Sequence, residues 1–136
     1  MSPGSLKAHY LRSKAVEYAW SFLGLPYIWG GDDPVHGFDC SGLTQAAFRM
    51  NGYDLMRDAS QQAGAGTNVN LLSEAAEGDL AFFDDEQGRI VHVGLILAQG
   101  RIIHASGKVR IDVLDHQGIF RTGERRYTHR LRLIKR

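Results

Sequence analysis

The sequence is poor in the features that would mark a stapled, membrane-spanning or modular protein. Cys40 is the only cysteine in 136 residues, which excludes an internal disulfide and leaves the redox compartment unmarked. Long apolar runs are missing: the longest, residues 90–98, is interrupted by His92 and falls far short of the ~20 residues a membrane helix needs. No basic-then-apolar leader precedes Leu6, so the chain as given is expected to carry no secretion signal, any targeting module lying outside it. There is no internal repeat and no low-complexity segment. Net charge is also small, at +1, but it conceals an asymmetry. Residues 121–136 hold seven Arg/Lys against the single acid Glu124, leaving nine basic and fourteen acidic side chains in the first 120 residues. A basic end of this kind suits an anionic polymer or nucleic acid. The plainer reading, which we adopt, is the exposed face of a last strand, because Leu131 and Leu133 alternate with Arg130 and Arg132.

What is present is ordinary for a globular domain: 43% hydrophobic and 23% charged residues, in a length that fits one domain with one core. The expectation is a single domain over 1–136, with its core at about 6–134. Leu11, Ala15, Ala19 and Phe22 recur at helical spacing and are followed by Gly24 and Pro26, predicting a helix over 6–23. Residues 25–37 read as loop. Leu43, Ala47 and Met50 predict a second helix starting near Cys40 and stopped by Asn51-Gly52, and residues 57–62 a short third one. Residues 64–70 read as loop. The period then changes to that of strands: 80–83, 90–98, 101–106, 109–114 and 127–134. Helices first and antiparallel strands afterwards define an α+β domain.

The chemistry gathers around Gly37-Phe38-Asp39-Cys40-Ser41-Gly42-Leu43. A thiol at a helix start gains from the unpaired N–H groups and the positive end of the helix, which lower its pKa. Asp39 suits the N-cap, accepting from the N–H of Ser41 or Gly42, but its charge raises the thiol pKa unless it is neutralised locally. A lone cysteine before a helix is also compatible with a small core residue. A nucleophile needs an imidazole base and a group that orients it. Of six histidines, His9, His36, His116 and His129 fall in polar surroundings and read as solvent-facing. His92 and His104 each interrupt an apolar strand. A two-residue turn at Gln99-Gly100 would put them on opposite faces, so a shared site needs a bulge or a longer turn.

Together these segments resemble the NlpC/P60 family of bacterial cell-wall cysteine peptidases, whose domain is a reduced papain-like fold. The matching stretches, in family order, are Pro26-Tyr27-Ile28-Trp29-Gly30-Gly31, Phe38-Asp39-Cys40-Ser41-Gly42-Leu43, Gly78-Asp79-Leu80-Ala81-Phe82-Phe83, His92-Val93-Gly94 and Ile103-His104-Ala105-Ser106. The resemblance spans roughly residues 10–134. It implies N-terminal helices on a five- to six-stranded antiparallel sheet, with Cys40 as nucleophile, His92 as base and then acid, and His104 orienting His92. Tyr27 would line the oxyanion region, Asp39 and Ser41 would grip a free amino end, and Asp58 would assist them, although Ala59 stands where those relatives have serine. Trp29 would wall the cleft or join the core. The implied reaction is hydrolysis of peptidoglycan stem peptides at the γ-D-glutamyl–diamino acid bond. The alternatives are a related thiol amidase or acyltransferase, or a non-catalytic wall-binding module. No metal or cofactor is required, since neither C-x-x-C nor H-E-x-x-H spacing occurs. The expected partners are muropeptides, with no nucleic acid and no membrane span, and the expected state is a monomer. The resemblance implies a wall, periplasmic or secreted setting, with cytoplasmic recycling or a phage origin as alternatives.

Overall fold

The computed structural model describes residues 3–136, with side chains from Arg12 onward. The first helix, α1, runs Pro3–Ser21, starting earlier than the apolar spacing indicates. Ala15, Val16, Ala19 and Phe22 are buried, while Leu11 and His9 lie outside the described side chains. Gly24, at φ +89°, makes the left-handed exit that only glycine adopts without strain. A small hairpin follows, β1 Asp32–Asp33 on β2 Gly37–Phe38. Helix α2, Cys40–Arg49, starts where the apolar spacing places it, with Asp39 as N-cap accepting from the Gly42 N–H at 2.7 Å. It is stopped at Asn51-Gly52. Helix α3, Ala59–Gln62, confirms the short third helix; its Gln61 side chain reaches back to the Asp58 N–H at 3.1 Å.

The remaining elements are strands apart from a 3-10 turn at Leu72–Glu74: β3 Asn68–Val69, β4 Leu80–Asp84, β5 Ile90–Leu97, β6 Arg101–Ser106, β7 Lys108–Leu114, β8 Gly118–Arg121 and β9 Arg126–Lys135. Their order is β3-β9-β4-β5-β6-β7-β8, antiparallel throughout, and β8 pairs back onto β9. The α+β expectation holds, but the sheet has seven strands rather than five or six, and six of them close into a barrel. Closure removes the exposed edges a flat sheet would leave. The strand that completes it, β8, was not visible in the sequence.

Closure also makes two apolar layers. Outside, Phe82, Val93, Leu95, Ile103 and Val109 meet Leu43, Ala47 and Phe48 of α2 and the buried face of α1. Inside, Ala81, Phe83, Ile96, Ile102, Ile119 and Ile134 fill the barrel. Strand β4 is covered on both faces, which is why Leu80-Ala81-Phe82-Phe83 is unbroken by polar residues. Among the described residues no helix is long and apolar enough to cross a membrane.

The turn between β5 and β6 decides where the histidines go. The ladder pairs Leu97 with Arg101, Ile96 with Ile102 and Leu95 with Ile103, so the loop is Ala98-Gln99-Gly100, one residue longer than the tight turn. Gln99 and Gly100 lie at φ +64° and +67°. That extra residue shifts the register by one and brings His92 and His104 to the same face. Both point into the barrel.

Candidate active site

Cys40 opens α2 at the wall of a cleft of about 520 Å³ lined also by Tyr27, Trp29, Asp39, Ser41, Arg57 and Asp58. The helix begins here because Asp39 caps it and because Gly42 has no side chain: a Cβ there would run into the Gly31 carbonyl oxygen. That carbonyl in turn accepts the Asp39 N–H at 2.9 Å. Every substrate-side residue expected from the sequence therefore lies on one cleft. Trp29 is 89% exposed, so it is a wall and not core.

The sulfur rests against an open strand edge. The β5–β6 ladder stops at Leu95–Ile103, leaving residues 91–94 of β5 without partners on that side. Cys40 Sγ faces the Val91 carbonyl at 3.9 Å and accepts the Val93 N–H, with the N–H groups of Cys40 and Ser41 also turned toward it. Burial pushes the thiol above its ordinary value of 9.0 and the Asp39 charge adds to this; the three N–H groups pull it down without prevailing. The thiol pKa is thus raised, contrary to the lowering expected from the helix start, because desolvation of a half-buried thiolate outweighs a few N–H donors.

Arg57 answers the question Asp39 raises. Its guanidinium meets both carboxylate oxygens, Nη1 to Oδ1 at 3.1 Å and Nη2 to Oδ2 at 2.9 Å, and donates to Ser41 Oγ at 3.1 Å. The charge beside the thiol is thus paired on the spot, by a residue that the sequence alone does not single out. Tyr27 is pushed above 10.0 by burial and by the Cys40 and Asp39 charges, so it stays a neutral O–H donor at the cleft.

Behind the cleft a chain of polar groups crosses the barrel. His92 Nε2 lies 2.9 Å from His104 Nδ1, and His104 Nε2 lies 2.8 Å from Asp112 Oδ2. Asp112 also receives Arg110 Nε at 2.9 Å. Burial works against its ionisation, but His104 and Arg110 outweigh it and its pKa is lowered. An ionised Asp112 accepts from His104 Nε2–H, so His104 Nδ1 carries a lone pair and accepts from His92 Nε2–H. His92 Nδ1 is left as the free base nitrogen. This tautomer is assigned by the network. Burial, first of all, holds both rings below 6.5 and hence neutral, His92 well below.

Two results depart from expectation. His129 is not solvent-facing: it stacks on His92 with ring centroids 4.0 Å apart and planes 22° from parallel, and burial lowers its pKa to about 4. Its arginine neighbours disguise a strand position that faces the barrel interior. Second, among the described residues Cys40 makes no hydrogen bond to a histidine. The sulfur touches the backbone on either side of His92, while the imidazole turns into the barrel. Asp112 was also missed; its alternation within Val109–Leu114 was visible, but its pairing with His104 across β6 and β7 was not.

A thiol at a helix start, set in a cleft against a barrel strand carrying hydrogen-bonded histidines, defines a papain-like domain. Comparison with known proteins specifies the family. The model of the NlpC/P60 family matches residues 24–126, and the chain belongs to that family. It is 49% identical over 86 residues to a gamma-D-glutamyl-L-lysine dipeptidyl-peptidase of Bacillus subtilis, covering 62% of this chain and 28% of that protein. It is 42% identical over 93 residues to the bifunctional muramidase/DL-endopeptidase CwlT of the same species, covering 67% and 28%. The crystal structure of an NlpC/P60 family protein from Bacillus cereus superposes with a TM-score of 0.78 at 31% identity, over 92% of this chain and 39% of that one. The chain thus spans under a third of the length of these two curated relatives.

Proposed function

We propose that this domain is a cysteine endopeptidase that hydrolyses peptidoglycan stem peptides at the γ-D-glutamyl–diamino acid bond. The observation that carries this reading is the position of Cys40, at the start of α2, open to the cleft and seated on the strand edge that bears His92. The named activities of the relatives support the same substrate class.

In the proposed reaction the His92 ring swings toward the sulfur across the open edge of β5, and Nδ1 takes the thiol proton as sulfur attacks the amide carbonyl. The helix-start N–H groups and the Tyr27 hydroxyl receive the developing oxyanion. The C–N bond breaks as Nδ1–H returns the proton to the leaving amine, giving a thioester. Water then gives a proton to Nδ1 and attacks; collapse releases the acid, and the thiol recovers its proton. His104 and Asp112 set the tautomer before the ring swings. Asp39 is already paired with Arg57, so Asp58, which caps α3 on the cleft wall, is the carboxylate left for a substrate ammonium.

Defined tri- and tetrapeptide muropeptides, digested and read by mass spectrometry, test this. Cleavage at the γ-D-glutamyl bond is expected from the intact chain, and none from Cys40→Ala or His92→Ala. Cleavage surviving alkylation of Cys40 would overturn it, and release of the sugar–peptide amide instead would support the amidase alternative.

A further inference from the structure

We propose that His92, His104 and His129 form a binding site for a zinc-class transition-metal ion at the end of the barrel, and that its occupancy turns the peptidase off. The inhibitory half rests on His92 acting as base; the binding half does not.

Three imidazoles on three strands converge here, and one nitrogen from each ring lies within 4.8 Å of the other two. Tetrahedral zinc, with Zn–N near 2.0–2.1 Å, places its ligand nitrogens about 3.3 Å apart, so ring shifts of about an ångström are enough to seat it. All-imidazole donors suit zinc, copper or nickel rather than magnesium or calcium, and three of them leave a fourth position for water. The outer contacts are those a ligating histidine needs. Asp112 Oδ2 holds His104 Nε2 at 2.8 Å and turns Nδ1 inward. Thr128 Oγ1 lies 2.8 Å from His129 Nδ1 and leaves Nε2 for the cluster. Such partners fix ring orientation and strengthen the donor. Arg121 sets a positive field on the three rings that opposes a dication. Its own charge is met by Glu124 at 2.9 Å, and it is held by Ser106 Oγ at 2.7 Å. Acyl transfer makes no use of His129, so the third ring is available for another role.

Occupancy acts through the tautomer. Without metal, His92 donates from Nε2 to His104 Nδ1 and keeps its lone pair on Nδ1. An ion bound to His92 Nε2 and His104 Nδ1 replaces that hydrogen bond, and the His92 proton moves from Nε2 to Nδ1 with no net gain or loss. Nδ1–H cannot accept the thiol proton. The enzyme stops without metal touching Cys40.

The test uses the full chain with Cys40→Ala, which removes the thiolate as a rival ligand. Equilibrium dialysis against zinc should give one ion per chain, and cobalt(II) should give a low-symmetry visible spectrum with no thiolate charge-transfer band. His129→Asn should weaken binding at least about tenfold, and Asp112→Asn by about 10–100-fold, the range for losing an outer partner; two variants keep the test decisive if one folds poorly. In the chain with Cys40, zinc should inhibit muropeptide cleavage reversibly to chelator. His129→Asn should raise the inhibition constant by the factor seen in dialysis, each relative to its own metal-free rate. Binding unchanged in both variants, or binding that vanishes with Cys40, would overturn the site. If the metal-free chain cleaves no muropeptide while the Cys40→Ala chain still binds zinc through His129, the peptidase reading fails and the site stands.

Discussion

Asp39 stands one residue before the Cys40 thiol, where an uncompensated carboxylate would hold the thiol protonated. The fork of Arg57 pairs that carboxylate, and the raised thiol pKa comes first from burial, with Asp39 adding to it. His92 shifts the opposite way, also through burial. The resting pair is therefore neutral thiol and neutral imidazole, sharing one proton that can be moved during attack. As pH falls through the lowered pKa of His92, below 6.5, the ring takes a second proton and ceases to be a base. As pH rises through the raised pKa of Cys40, above 9.0, the pair loses the proton that the leaving amine needs. The profile of kcat/KM should accordingly be a bell with a plateau covering at least pH 6.5–9.0, its limbs outside that interval. A rate series on a muropeptide across that range checks it, and an acid limb above pH 6.5 would contradict the assignment.

Between elements, the fit of β5 on β6 depends on Gly94. A Cβ added there would lie 2.8 Å from Ile102 Cδ1 and 3.0 Å from His104 Cβ, so Gly94→Ala crowds the Ile102 side chain first and then presses on the stem of His104. The expected result is about 1–3 kcal/mol lost in urea unfolding, the usual cost of overpacking. Turnover should drop by up to about tenfold, less than the ~10²-fold of a full ångström's misplacement, with kcat falling more than KM because substrate-side groups are untouched. An unchanged kcat would mean that the His92–His104 bond does not position the base. The same strands show what was legible in advance. Helix α2 could be read because Leu43, Ala47 and the breakers Asn51-Gly52 are local signals, and Cys40 came with it. Strand β8 could not, since four residues carry no period and become a strand only by pairing with β7 and β9. The side on which His92 and His104 fall depended on one residue in a turn, and two- and three-residue turns share the same glycine signal. Arg57 and Asp112 carry meaning only through contacts 18 and 8 positions away. Motif spacing singled out Cys40 and both strand histidines; the groups that touch them are tertiary.

At the scale of the whole molecule, the basic C-terminal run serves mostly to tie the barrel shut. Arg121 and Arg126 meet Glu124, Arg130 and Arg132 meet Asp84, and Arg136 meets Asp79. Charges answered within the chain have little left for a polyanion, which favours the strand-face reading of this segment. Asp79 is the deepest of these acids, fully buried. Its oxygens receive Arg136 Nε at 3.0 Å, Arg136 Nη2 at 2.8 Å and the Ala76 N–H at 2.8 Å, with Arg12 Nε of α1 at 3.7 Å. One carboxylate thus joins the first helix, the loop before β4 and the last residue of the chain. Breaking a buried pair from one side costs about 3–5 kcal/mol when the other charge is left dry. Arg136 is 38% exposed and recovers hydration, whereas Arg12 is at 16%. Asp79→Ala should therefore fall at the low end, about 3 kcal/mol in urea unfolding, and Asp79→Asn should lose less because its amide oxygen still accepts the Ala76 N–H. The cleft lies elsewhere on the molecule, so kcat/KM per folded molecule should not change. A loss under about 1 kcal/mol for the alanine variant, the range of an exposed ion pair, would mean that the closure of helix, loop and C-terminus is held by the apolar layers alone and that Asp79 merely sits among them.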